Sequence, residues 1–136
     1  MMKTCLTVLG CAALLSMIGF AQEDHAEFQG LMKSAGGDFG GLRKMVMAKE
    51  GEQSAATAEK LAAVFEKVQA HFEEHHMEDG VNFAKTAHNA AMSLAEAAKG
   101  GDWDKASADL KEIGGQCQGC HAAHREKLPD GTFKMK

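Results

Sequence analysis

Trp103-Asp104-Lys105-Ala106-Ser107-Ala108-Asp109-Leu110-Lys111-Glu112-Ile113-Gly114-Gly115-Gln116-Cys117-Gln118-Gly119-Cys120-His121 is the most telling stretch of this chain. Trp103, Ala106, Leu110, Ile113, Cys117, Cys120 and His124 recur at steps of three and four, the spacing of one helix face. Asp102, after Gly100-Gly101, is a natural N-cap for that helix. The face ends in C-x-x-C-H, the attachment signature of a c-type haem. Residues three apart on a helix share a face, so both thiols can bond one porphyrin. The adjacent imidazole of His121 is then placed to supply the proximal nitrogen, a common haem ligand. The motif thus lies on the core face of the last helix.

Three more helical stretches precede this one. In the nearest, from about Val81 to Lys99, Phe83, Ala87, Ala90, Leu94 and Ala97 form a stripe of mostly small residues that permits close packing. Glu78-Asp79-Gly80 reads as the break before it. The next, with Ser54 as candidate cap and an end near Met77, carries Ala58, Leu61, Phe65, Val68 and Phe72 as a bundle seam. The first runs from a cap at Asp24 to about Lys49 and carries Phe28, Leu31, Met32, Phe39, Leu42, Met45 and Val46. Gly36, Gly37, Gly40 and Gly41 interrupt that stripe, each costing a helix about 1 kcal/mol against Ala. Either a flat cofactor or a neighbouring helix comes close there, or the helix kinks or divides in two. Beyond the last helix, Leu128-Pro129-Asp130-Gly131 reads as a turn with a short polar end.

Composition agrees with this all-α reading. Pro occurs once, Tyr not at all, and Ala, Glu, Lys and Met are abundant. Four helices of similar length with short connections predict an antiparallel up-down-up-down four-helix bundle. Residues 1–21 read as a signal peptide: Lys3 ahead of an apolar run from Leu6 to Ile18, then Gly19-Phe20-Ala21 as the cleavage site. The domain is then 22–136. That apolar run is too short for a comfortable membrane span, and no second one follows. Cleavage removes Cys5 and Cys11 and leaves Cys117 and Cys120. It also removes Lys3, so 14 Lys and Arg face 19 Asp and Glu, a net charge of −5. A mildly acidic chain without a basic stripe does not point to nucleic acid, and a partner docked by charge would present a basic face.

Other uses of the two cysteines fit less well. A thioredoxin-like dithiol needs a strand–helix context, and no strand is readable. A structural zinc site needs four ligands, and no second C-x-x-C is present. A plain disulfide remains an alternative for an exported chain. His71, His75 and His76 are the other notable group, with His71 and His75 at the i, i+4 spacing of a helical metal pair and Glu74 and Glu78 nearby. A solvated helix end and a second axial ligand to the iron are the competing readings for them. No nucleophile–base signature or catalytic carboxylate pair is present, so an enzyme is not expected.

The C-terminal C-x-x-C-H, Arg125 four residues after its His, the four-helix pattern, Leu31-Met32-Lys33 and Gly36-Gly37-Asp38-Phe39-Gly40 together resemble the class II c-type cytochromes. These are cytochrome c′ and its low-spin, six-coordinate relatives, and the resemblance covers nearly the whole of 22–136. It implies one covalent haem c on Cys117 and Cys120, with His121 as fifth ligand. It also implies that the opposite face of the iron meets the first helix at Met32, which binds the iron in six-coordinate members. In cytochrome c′ proper an apolar side chain there leaves five-coordinate iron open to small gases. From helical geometry alone Met32 shares a face with Phe28, Phe39 and Met45, so core filling competes with ligation.

The resemblance places Arg125 near the proximal side, against a dipole-favoured Arg in the last helical turn. The chain departs from the family at His124, where an aromatic is common, and at Phe28, the nearest equivalent of a distal Arg. The resemblance and the motif together imply an exported, periplasmic monohaem cytochrome passing electrons to redox partner proteins, with gas (NO/CO) binding as the alternative. A homodimer through the first two helices is the assembly the family implies.

Overall fold

The computed structural model describes residues 12–136, with side chains from Asp24 onward. It contains four helices, α1 (Ala12–Met47), α2 (Gly51–Glu74), α3 (Glu78–Lys99) and α4 (Trp103–His124), followed by a two-stranded hairpin, β1 (Arg125–Lys127) and β2 (Phe133–Met135). The expected signal peptide lies largely outside the described residues, and no side chain in it is described. Among the described residues no helix is long and apolar enough to cross a membrane.

Three tight connections turn the chain back on itself, and all three are built the same way. Lys49, His76 and Gly101 adopt positive φ, at 56°, 56° and 73°. At each, the next residue's N–H reaches back five positions: Glu50 to Met45 O (3.0 Å), Met77 to Phe72 O (2.9 Å) and Asp102 to Ala97 O (2.9 Å). The left-handed residue itself donates to the carbonyl three positions back. This is the Schellman closure, which satisfies orphan carbonyls at a helix end. Glu50, Met77 and Asp102 then serve at once as the N-caps of the following helices.

Only the third of these connections matches the sequence-based expectation in full. Asp102 caps α4 with its side chain, accepting from Lys105 N at 3.0 Å. Ser54 is not a cap: α2 begins three residues before it, and Ser54 is buried with its Oγ unpartnered. Glu78-Asp79-Gly80 is not a break but the first turn of α3. Asp24 is not a cap either, since α1 is already helical before it. The connections at Glu50 and Met77 close on backbone hydrogen bonds, which leave no side-chain signature. The four glycines of the first stretch do not interrupt α1, which runs through them as one helix.

The core follows the predicted stripes. Leu42 and Val46 of α1, Ala58, Leu61 and Phe65 of α2, Ala87, Ala91 and Leu94 of α3, and Ala106 and Ile113 of α4 form the main cluster. Phe28, Val68, Phe72 and Ala84 form a second one toward the motif end, with Leu31, Met32, Cys120 and Met135 packed on it. Seven of the nine buried residues of α3 are alanines, and this small face lets α2 and α3 pack along their whole length. Gly80 takes the closeness furthest, for a Cβ there would stand 2.3 Å from the Phe72 ring. α1 packs on α2 and α4 on α3, but α1 and α4 barely meet. The bundle is therefore closed on three sides and parted on the fourth.

Candidate functional site

The parting between α1 and α4 is where the sequence motif lies. An apolar cleft with about 650 Å³ of atom-free space opens there, lined on the α1 side by Met32, Gly36 and Phe39 and on the α4 side by Gln116, Cys117, Cys120 and His121. Phe65 and Val68 of α2 and Phe83, Ala84 and Ala87 of α3 form its floor. A second, larger opening of about 1050 Å³ shares Met32, Cys120 and His121 and extends past Phe28, His124, Arg125, Phe133 and Met135. The three residues common to both clefts are a thioether on one wall and a thiol and an imidazole on the other.

Each position follows from local structure. Cys117, Cys120 and His121 share the inward side of α4: Cys117 packs on the main core cluster and Cys120 on the second. Gly119 lets α4 lie close to α3, because a Cβ there would come within 2.7 Å of the Phe83 ring. On the facing wall a Cβ on Gly36 would meet nothing within 4 Å. Neither a neighbouring helix nor a break accounts for Gly36; it stands beside open space at the cleft.

The electrostatics favour neutral groups. Burial pushes the Cys117 thiol up, and burial, with the Cys117 and Asp79 charges behind it, pushes Cys120 up to about 11. Cys117 and Cys120 are not joined in a disulfide. A reactive redox dithiol needs a lowered pKa in an electropositive setting, the opposite of what is found. Burial, and then the positive charge of Arg125, lower the pKa of His121. Both effects hold the imidazole neutral, which is its metal-ligating form.

Arg125 is not in the last helical turn. The chain leaves the helix there (φ −117°, ψ 132°), and Arg125 begins β1. Its guanidinium lies 3.8 Å from the centroid of the Phe133 ring, a cation–π contact across the hairpin. The hairpin itself corrects the expectation that no strand is present. Leu128-Pro129-Asp130-Gly131 does turn, with Gly131 at φ 86°, but the tail beyond it pairs back, Arg125 with Met135 and Lys127 with Phe133. It thereby brings Phe133 and Met135 to the second cleft. Three-residue strands with exposed faces carry no alternation to read, so the sequence held little signal for them.

His124, the departure from the family's aromatic, is mostly buried against Phe72, with ring centroids 5.2 Å apart. Its Nε2 stands 3.0 Å from Asp79 Oδ2, off the line of a hydrogen bond. Phe28 is buried edge-on to Phe72 and borders the second cleft, beside His25, Gln29 and Lys33. Phe65, Phe83, Gln116 and Met135 line the clefts without having been legible as lining residues, because neighbours across a bundle have no fixed spacing along the chain. His71 and His75 do not reach the clefts; they meet Asp24 instead.

A flat, largely apolar macrocycle fits what is present: two thiols and a neutral imidazole on one wall, open space at Gly36 and a thioether on the other, and aromatic and aliphatic side chains beneath. An antiparallel four-helix bundle with this motif on its last helix defines a class of helical haem-binding proteins. The model of the cytochrome c′ family matches residues 25–125, and the chain belongs to that family. The family carries one covalent haem c, so this is a haem c cytochrome. No curated protein and no solved structure gives a significant match.

Proposed function

We propose that the protein is an exported, periplasmic electron carrier whose haem is attached at Cys117 and Cys120 and ligated by His121 and Met32. The observation that carries this reading is that Met32 and His121 face the same two clefts from opposite walls. When bound, the haem supplies an iron that cycles between the ferric and ferrous states by one electron. The chain's part is to hold, orient and desolvate it. The buried thiols of Cys117 and Cys120 anchor it to α4. His121, kept neutral by burial and by Arg125, offers nitrogen to one side. Met32, half-buried on α1, offers sulfur to the other; a His/Met pair raises the potential. Phe39, Phe65, Val68 and Phe83 exclude water and lower the local dielectric, which tunes the potential further. No acid–base chemistry is assigned to these side chains.

One observation favours the second reading, a five-coordinate haem that binds nitric oxide or carbon monoxide. Met32 packs on the cluster of Phe28, Val68, Phe72 and Ala84, a place a methionine can fill without ligating. Spin state separates the two. We expect the ferric holoprotein to give a low-spin EPR spectrum at neutral pH and Met32→Ala to turn it high-spin. A high-spin spectrum in the parent protein, unchanged by Met32→Ala, would overturn Met ligation in favour of gas binding.

A further inference from the structure

A cluster outside the clefts carries ligand chemistry of its own. α1 and α2 cross where Asp24 faces the last turn of α2. Asp24 Oδ1 lies 3.3 Å from His71 Nδ1, and Asp24 Oδ2 lies 2.8 Å from His75 Nε2. One donor atom from each of the three lies within 4.8 Å of the other two. In a tetrahedral zinc site with bonds of about 2.0–2.1 Å the donor atoms stand about 3.3 Å apart, so small side-chain movements bring this set to metal spacing. His71 is only 12% exposed and stacks on Phe28, with ring centroids 4.3 Å apart, which fixes its plane. His75 and Asp24 are 40% and 39% exposed, leaving the remaining coordination positions to water. The carboxylate of Glu74 adds negative charge close to His71.

We propose that Asp24, His71 and His75 form a binding site for an imidazole-seeking divalent first-row cation, zinc or copper(II), separate from the haem. Two imidazoles and one carboxylate suit these ions better than calcium or magnesium, which take oxygen donors. The set joins two helices: with the mature chain expected to start at Gln22, Asp24 stands in its first turn, where helices fray. A bound cation ties that turn to the end of α2. Phe28, which stacks on His71, also borders the cleft that contains Met32, so the tie lies beside the cofactor's distal wall.

The test is a calorimetric titration of the haem-loaded protein with Zn²⁺ alone, followed by EPR with Cu²⁺ alone. We expect one equivalent of Zn²⁺, with affinity at least tenfold weaker in His75→Ala and in Asp24→Asn. Affinity should be unchanged in His76→Ala, and the Soret band unchanged throughout. Cu²⁺ should show coupling to two nitrogens in the parent protein and to one in His75→Ala. Absence of saturable binding, or an affinity that neither His75→Ala nor Asp24→Asn moves, would overturn the site. His75 is exposed at a helix end, so its removal leaves the fold intact to be measured.

Discussion

The α2–α3 seam and the α1–α4 edge are opposite sides of one bundle, built by opposite means. Along the seam, the alanines of α3 and one fully buried leucine per helix, Leu61 and Leu94, bring the backbones close, and Phe65, Val68 and Phe72 of α2 fill the space that remains. Along the edge, phenylalanines, cysteines and glycines stand around a space that the protein does not close itself. The first side derives its stability from contacts among its own residues. The second sets two cysteines, a neutral imidazole and a thioether around the cleft, an arrangement that makes sense once a cofactor is counted as part of the core.

Three changes put that contrast to the test. The largest effect is expected at the edge. Cys117→Ser combined with Cys120→Ser should abolish covalent pigment, so that acid-acetone extraction removes all haem from the variant and none from the parent. Pigment that remains attached in the variant would contradict attachment at α4. Next in size is the seam. Leu94→Ala removes a side chain with no exposure, and a loss of about 2–5 kcal/mol in chemical unfolding of the holoprotein is expected. A loss below about 1 kcal/mol would mean that the seam is not the self-sufficient side. The smallest effect lies in the connections, away from both. Lys49 occupies a left-handed conformation that costs a side-chain residue about 1–2 kcal/mol. Lys49→Gly relieves this at the position where Schellman turns favour glycine, at some cost in unfolded-chain entropy. A net gain of about 1 kcal/mol in unfolding free energy is expected, with the haem spectrum unchanged.

The same contrast explains which parts of the molecule are legible from sequence. The stripes of α2, α3 and α4 are nearly unbroken at three- and four-residue steps: α2 buries all of its stripe and α3 all but Phe83, while α4 buries Ala106 and Ile113 and leaves Trp103, Leu110, Cys117, Cys120 and His124 half-buried. Asp102 is legible as a cap because it acts through its side chain. Ser54 and Asp24 mislead because a buried Ser and a His-bound Asp look the same in a sequence as capping ones, while α2 starts on backbone bonds alone. Arg125 misleads because the helix spacing continues on paper past the residue where the hairpin begins.

Spacing along the chain is enough to establish the helical class, the four-helix pattern, and the haem motif with the residues expected to bind it, because each depends on steps of three or four within one helix. The fold was needed to show that Met32 faces His121 across a gap, that the hairpin brings Phe133 under Arg125, and that Asp24 meets His71 and His75. Met32 and His121, and Asp24 and His71, are joined across tens of positions. Such relations depend on which sides of the bundle close, and that is set by the packing of small and large side chains between helices rather than by any pattern within one.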